Sequence, residues 1–485
     1  MFDWLQNLFA RRTRRAPRRV ISAIRARYDA ASTSPDNRRH WANADGLSAR
    51  AANNPEVRRI LRNRARYEVS NNSYAKGIVL TLANDVIGTG PRLQMLTDNA
   101  EVNRSVEMAF ANWARVVGLA EKLRTMRMAR ATDGESFCIL TSNPKLPTQV
   151  QLDLRLVEAD QVCTPDVVGL DPNAVDGIAF DAAGNPVEYH VLRTHPGETS
   201  RQIVLEYDRV PAASVIHWFR SDRPGQARGI PDITPALPLF AQLRRYTLAV
   251  IAAAETAADF AAFLKTDAPA NGEAESAEPF ESLEIEQRML TTLPAGWDVS
   301  QLRAEQPTTS HADFVRTILN EIARCLNMPF GVAAGNSSGY NYASGRLDHQ
   351  IYFKSIRVEQ AHLEEVVLDR LLASWLDEAA LIPGLLLSEL GPFADCPHQF
   401  FFDGQEHVDP LKEANAQATR LANHTTTLAD EYARRGQDWE MQLRQRAKEL
   451  ALMNELGLSM AQAQPTTPQE SQSDEADQPA AQHAA

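Results

Sequence analysis

The sequence predicts an α+β fold from the order of its periodicities. Helical spacing fills residues 53–130, an alternating period of two fills about 135–218, and helical spacing returns from about 236 to 456. Strands grouped together, instead of alternating singly with helices, point to a mostly antiparallel sheet with helices packed on it. The 485 residues leave room for two or three domains, and 44% hydrophobic with 23% charged residues are globular proportions.

Residues 1–50 read as a basic arm, partly disordered. Arg11, Arg12, Arg14, Arg15, Arg18 and Arg19 precede the polar run SPDNRRHWANADG, and such an arm orders only against a neighbour. Its apolar residues come before its arginines, the reverse of a secretory signal, although Phe2, Leu5 and Phe9 would share one face of a membrane-surface helix. From Asn53 a helix begins, with Asn54 as cap and Pro55 in the first turn. Val57, Ile60 and Leu61 predict its buried face. Arg58, Arg59, Arg62, Arg64 and Arg66 predict a cationic outer side, either solvated or set against an acidic neighbour or phosphate. A second helix, Tyr74–Val86, stops at the turn signal Ile87-Gly88-Thr89-Gly90-Pro91, and a third spans about Glu101–Arg130 with a break near Gly118.

Strands are then expected at Glu135–Thr141, Val150–Val157, Gly177–Asp181, Val187–Leu192, Gln202–Tyr207 and Ser214–Trp218, with a hairpin turn over Phe180–Pro186. The prolines of Pro231–Pro238 launch an Ala-rich helix over about 236–264. Its apolar run Tyr246–Leu264 carries Glu255 and Asp259, which would be costly in lipid, so it reads as helix packing in water. Thr266–Gln287 holds seven acidic residues and no Lys or Arg, as an exposed acidic loop or as a lip facing a basic partner or polyanion. A short β-like stretch follows at Leu290–Val299. Ser310-His311-Ala312-Asp313 resembles a capping box and opens a helix with Phe314, Ile318, Ile322 and Leu326 on one face.

After Pro329 comes a loop of small residues, GVAAGNSSGYNYASG from Gly331 to Gly345, and then one long helix, Arg346–Leu376. Leu347, Ile351, Ile356, Leu363, Val367, Leu371 and Trp375 mark its buried side; Arg346, Gln350, Lys354 and Arg357 step along another. Ile382-Pro383-Gly384 breaks the chain, Pro392–Phe402 reads as loop with three consecutive phenylalanines, and Asp409–Leu456 is helical with a division at Gly436. From Gln462 the Pro, Gln and Ser content cannot bury a core.

Signatures of chemistry are few. The sequence has no G-x-x-x-x-G-K-[ST], no G-x-G-x-x-G between a strand and a helix, no H-E-x-x-H and no EF-hand loop, so no catalytic residue, cofactor or metal ligand is assigned. Cys138, Cys163, Cys325 and Cys396 form no C-x-x-C pair and read as reduced thiols. Gly335-Asn336-Ser337-Ser338-Gly339 fits the hydrolase nucleophile elbow, but that motif requires a strand-to-helix turn on a parallel sheet, which the surrounding pattern lacks. His217 alone reads as structural. The net charge of −12 argues against tight non-specific DNA binding, which runs on cations neutralising phosphates.

Several segments, taken in order, resemble the lambda family of tailed-phage portal proteins. They are Arg64-Ala65-Arg66-Tyr67 through Asn71-Asn72-Ser73-Tyr74-Ala75, Val86–Gly90, VDGIAFDAAGNPVEYHVLRTHPG (175–197), VIHWFRSDRPGQARGIPDITPAL (215–237), Asn341–Arg346 and Val408–Ala414. The resemblance implies a phage portal fold with an α/β wing (51–234), a stem of two helices (235–265 and 306–328) and a clip with its connection (266–305). It further implies a tunnel loop (329–345), a long helix returning to the wing (346–404), a mainly helical crown (405–460) and a disordered tail (461–485). The implied assembly is a ring, typically of twelve copies, at the portal vertex of a virion capsid, assembled in the host cytoplasm. Double-stranded DNA would pass through it non-specifically during packaging and ejection. The implied partners are the terminase large subunit, head-tail connector proteins and capsid or scaffold proteins, with no membrane. In that reading Asn341, Tyr342, Ser344, Arg346, Lys354 and Arg357 are channel candidates, and Glu273, Glu275, Glu278 and Glu281 are clip residues for a partner. The alternative from another class is a cytosolic helical scaffold or adaptor without a DNA channel.

Overall fold

The computed structural model describes residues 34–164, 174–198, 206–259, 263–266, 297–300, 311–338, 341–386, 396–404 and 410–458. It divides into two compact units, Met1–Ala52 and Asn53–Ala485. The smaller holds turns, an edge-on His40–Trp41 ring pair at 4.5 Å and one helical turn, Ala49–Ala52; residues 1–33 of the expected arm lie outside the described residues.

The larger unit opens with α1 (Pro55–Asn71), capped by Asn54, whose side chain accepts from the Val57 amide. Asn72 separates it from α2 (Ser73–Ile87) and caps that helix by accepting from the Tyr74 and Ala75 amides. A strand, β1 (Arg92–Met95), precedes α3 (Ala100–Val116) and α4 (Leu119–Asp133), which are divided at Gly118 as the sequence predicts. Then come β2 (Glu135–Ser142), β3 (Leu152–Val157), β4 (Ala174–Val175), β5 (Ile178–Phe180), β6 (Pro186–Leu192), β7 (Tyr207–Pro211) and β8 (Val215–Phe219). They form a three-stranded sheet, β3-β2-β8, and a four-stranded meander, β4-β5-β6-β7. Every pairing is antiparallel. The expected strand at Gln202 lies mostly outside the described residues; β7 begins at Tyr207.

The chain continues as α5 (Leu237–Asp259), β9 (Phe263–Thr266), β10 (Trp297–Ser300) and α6 (His311–Arg324). The Ala-rich helix thus stops earlier than predicted, and Phe263–Thr266 instead pairs antiparallel with Trp297–Ser300. Tyr246 packs on His311 at 5.5 Å and on Phe314 at 4.7 Å, holding α5 against α6. No described helix is long and apolar enough to cross a membrane.

Next are α7 (Phe330–Ala334), α8 (Tyr342–Leu363), a π-turn at Glu364–Leu368 and α9 (Asp369–Ala380). The small-residue loop is therefore shorter than expected, and the rod begins at Tyr342 with an interruption that periodicity did not indicate. Trp375 of α9 meets Phe110 and Trp113 of α3 with ring centroids 5.4 and 6.4 Å apart, at the centre of the main core. The Phe400 region, expected as loop, is a strand, β11 (His398–Phe401), paired antiparallel with β1. The described C-terminal residues form three helices, not two: α10 (Pro410–Ala422), α11 (Leu428–Ala433) and α12 (Trp439–Glu455).

The largest departure from the hydropathy pattern is in α1, where Arg58 and Arg62 of the expected outer side face inward, while Arg59 and Arg64 are exposed and Leu61 packs against the core as expected. Arg58 and Arg62 are 1% and 4% exposed, whereas Val57 and Ile60 lie on the surface. The arginines are held inward by acids that the sequence places far away. Glu135, with no exposed surface, accepts from Arg62, from Arg228 at 2.7 and 2.9 Å, from His217 at 2.9 Å and from the Gly229 amide at 3.0 Å. Arg58 pairs with Asp176, and Arg66 bridges Asp133 and Asp160, each at 2.7 Å. Burial opposes ionisation of Glu135, but Arg228, the His217 hydrogen bond and Arg62 outweigh it and hold the carboxyl well below the usual range. The close approach needs glycine: a Cβ on Gly229 would sit 2.0 Å from the carbonyl oxygen of Gly134.

Breaking such a cluster on one side leaves an unpaired buried charge. Arg62→Met is expected to cost about 3–5 kcal/mol, whereas Ile60→Ser, on the outward side, should stay within about 0.5 kcal/mol. Chemical denaturation of the two variants measures the contrast; equal losses would contradict the inward setting of Arg62.

Candidate functional site

The candidate region is the loop and rod from Pro329. The five residues of α7 end at Gly335, which adopts a φ of +63°. Asn341 caps α8 by accepting from the Ser344 amide at 2.8 Å, and the Ser344 hydroxyl donates to the Asn341 carbonyl at 3.2 Å. Two of the channel candidates thus serve first to start the helix. The Tyr342 side chain lies outside the described set. Arg346, Lys354 and Arg357 are exposed and make no ion pair among the described residues. Beside them Leu347, Ile351 and Val358 are 62%, 61% and 66% exposed, and Asp348, His349 and Gln350 are exposed as well. Leu347 and Ile351 were expected on the buried side. In fact the buried side of α8 runs through Tyr352, Ile356 and Leu363, and a shift of the stripe by one step carries the other two outward.

What fixes that orientation is a set of polar anchors on the inner face. Tyr352 donates to Asp85 at 2.7 Å, Gln360 to the Val86 carbonyl at 3.1 Å, and Trp218 Nε1 to His362 Nδ1 at 3.3 Å. Burial, with Asp85 beside the hydroxyl, raises the Tyr352 phenol, so it remains a donor. Glu359 is the main anchor. It pairs with Arg127 of α4 and with Arg130 at 3.2 Å, and the same arginines face Asp232, 2.9 Å from Arg127. Arg220 reaches Asp232 at 3.2 Å, and the Arg130 guanidinium lies 4.9 Å over the Trp218 ring. One node therefore joins α4, the segment after β8 that leads into α5, and the long rod. Sequence reasoning assigned none of these residues. The signal was present: Glu359 falls three after Ile356 and four before Leu363, on the apolar face, where a lone carboxylate needs a buried cation.

Two tempting sites lose their chemistry in the structure. The Gly335–Ser338 part of the elbow-like motif follows a helix instead of a strand, and Ser337 is exposed with no hydrogen-bond partner among the described residues. Glu158, Asp160 and His195 bring ligand-type atoms together. However, His195 Nδ1 accepts from the Gly197 amide at 3.0 Å, which puts the proton on Nε2, facing Glu158 at 3.2 Å. Arg66 already occupies Asp160 at 2.7 Å. The group reads as an ion-pair cluster. The four clip candidates, Glu273, Glu275, Glu278 and Glu281, lie outside the described residues.

A cleft of about 870 Å³ separates α3 and β1 from α12. Glu107 stands in its wall and accepts from the Met95 amide at 2.8 Å. Burial, with Asp438 and Glu440 adding repulsion, pushes its carboxyl up to about 7. Gln94 donates to Asp438 at 3.0 Å across the near end of the cleft.

A family profile described as phage portal protein, lambda family, matches residues 35–360. A curated relative, the probable portal protein of Halomonas phage phiHAP-1, is 26% identical over 428 residues, covering 82% of this chain and 81% of its own. Among solved structures, the chain is similar to one from the virion of a native gene transfer agent particle, with 13% identity and a TM-score of 0.43. That match covers 75% of this chain and 88% of the other. It is also similar to one from the neck of the native particle computed with C12 symmetry, with 13% identity and a TM-score of 0.45, covering 79% and 93%.

Glu107 supplies a pH test. Its folded-state value near 7 lies above the ordinary 4.5, so as pH rises the unfolded chain ionises first. Stability should fall from about pH 4.5 to about 7 and then level. Thermal melts of Glu107→Gln across that window are expected to lack this slope; an unchanged slope would assign it to another group.

Proposed function

The chain belongs to the lambda family of phage portal proteins, and from that premise we propose that it forms a ring, of twelve copies, whose channel carries double-stranded DNA into and out of the capsid. The observation that carries the proposal is the family match across residues 35–360. In this reading 51–234 is the wing, 235–265 and 306–328 the stem helices, 266–305 the clip and 329–345 the tunnel loop. The segment 346–404 is the long helix with its return to the wing, and 405–460 the crown. The pairing of α5 with α6 through Tyr246, and of β9 with β10, supports a stem that runs out and back. The clip glutamates Glu273, Glu275, Glu278 and Glu281 would face the terminase large subunit and later the head-tail connector. The role is that of a conduit in the virion, with the energy for packaging supplied by another protein.

The physics of a conduit suits the surface of α8. Each phosphate neutralised adds salt-dependent affinity and drag, so a channel should offer few cations and no base readout. Arg346, Lys354 and Arg357 give three charges with no ion pair among the described residues, interspersed with aliphatic side chains, on a rod held from behind by Glu359. Asn341, Tyr342 and Ser344 at its start would border the same space.

Electron microscopy of the purified protein should show closed rings with a central hole; monomers or open arrays would return the scaffold reading. Reversing the charge of Arg346, Lys354 and Arg357 together is expected to lower packaged DNA or its retention while rings still form. Unchanged packaging and retention would remove these three residues from the channel.

A further inference from the structure

Helix α12 is anomalous for a folded chain: it has 17 residues and buries none of them. A helix of this length is marginal alone in water and gains its stability from packing. Its apolar side chains are also arranged on two sides. Met441 and Leu452 lie on one side with Gln445 and Lys448 between them, and of these Met441, Gln445 and Lys448 line the α3 cleft. Trp439, Leu443, Ala447 and Leu450 step by four, four and three along the opposite side. Met441 and Leu452 are 64% and 53% exposed, and Leu443 and Leu450 also lie on the surface. A helix docked on its own subunit needs only one such stripe.

We propose that α12 is a two-sided joint between copies of this chain, one stripe meeting the preceding copy and the other the following copy. The proposal rests on the ring reading above and names a surface that would close it. Two unlike faces on one element make a head-to-tail contact, and head-to-tail contacts close into rings when the rotation allows. An occupant identical to α12 also suits the charges. Glu440, Glu449 and Glu455 balance Arg444, Arg446 and Lys448, although the whole chain carries −12. The ion pairs Arg444–Glu440 at 3.6 Å and Arg446–Glu449 at 3.2 Å lie at the edges between the stripes. Like helices therefore approach without net repulsion. The cleft of about 870 Å³, with Met108 exposed on its far wall, leaves room on the inner side for a neighbour's side chains.

Leu450 and Leu452 sit at nearly the same height on opposite sides and make the test direct. Assembled Leu450→Cys, Leu452→Cys and double-variant proteins are treated with a short bis-maleimide, with the wild-type chain as control for its own four cysteines. The double variant is expected to give a ladder of covalent dimers, trimers and larger species, and each single variant no more than the control. Dimers from either single variant would mean that like faces meet, which overturns the joint as drawn. A double variant without a ladder, in particles whose native mass still shows a ring, overturns the α12 contact and leaves the ring reading standing. A monomeric native mass overturns both. Coupling of α12 to a different virion protein without a ladder gives the surface to that protein.

Discussion

A carboxylate with no exposed surface organises this molecule. Glu135 has a desolvation cost that only close, multiple cations and donors can offset, and the chain satisfies it from three distant segments: Arg62 of α1, His217 of β8, and Arg228 with the Gly229 amide. Ion pairs of this kind add little net stability compared with a well-packed apolar core, but they tolerate few alternative arrangements. They fix which face of α1 looks inward, and they pin the segment after β8. A few residues further on, Asp232 joins the second node, where Arg127 and Arg130 hold Glu359. The two nodes together run from the antiparallel sheet to the base of α5 and to the middle of the long rod. Loop, rod and paired helices share one continuous apolar core, and the two polar nodes fix their orientation on it.

That arrangement explains which parts of the fold were legible in the sequence. Antiparallel strands, the α3–α4 break and the rod with its basic residues followed from period, glycine and charge. The orientation of α1 did not, because a period of 3.6 identifies faces but not which one is buried. Leu61 does pack against the core, but Val57 and Ile60 were turned outward when Asp133, Glu135, Asp160 and Asp176 were brought in by the sheet and its flanks. β1 and β11 were missed for the related reason that each is only four residues long and is defined by a partner about three hundred positions away. Of the site candidates, Asn341 and Ser344 proved to hold the helix start, and Leu347 and Ile351 proved exposed among the polar residues between Arg346 and Arg357. The buried partners Glu359 and Asp232 went unassigned, because single charges in apolar stripes gain meaning only when their cations are found. Asp232 nonetheless lies in the 215–237 segment that carried much of the family resemblance, as do His217, Arg220, Arg228 and Gly229.

The rod therefore has an inner and an outer account. Inside, Tyr352, Glu359, Gln360 and His362 bond to groups from α2, α4 and β8, so the helix cannot roll without breaking several polar contacts. Outside, it shows Arg346, Lys354 and Arg357, the aliphatic Leu347, Ile351 and Val358, and also Asp348, His349 and Gln350 to whatever lies alongside. In the proposed ring a stiff strut of this kind carries load between the channel and the core around Trp113 and Trp375.

The π-turn at Glu364–Leu368 has a consequence for azimuth. Relative to an uninterrupted α-helix, a single π-turn takes up one additional residue, which corresponds to about 100° of rotation about the axis. The front of the rod is clocked by Glu359 and the back by the aromatic core at Trp375, and the π-turn reconciles the two settings. It behaves as a phase shifter: shortening this turn by one residue would restore a regular helix and leave both anchors chemically intact. Forcing the same residues into regular α-helical geometry without that deletion would instead turn Arg346, Lys354 and Arg357 by about a quarter-turn relative to Trp375.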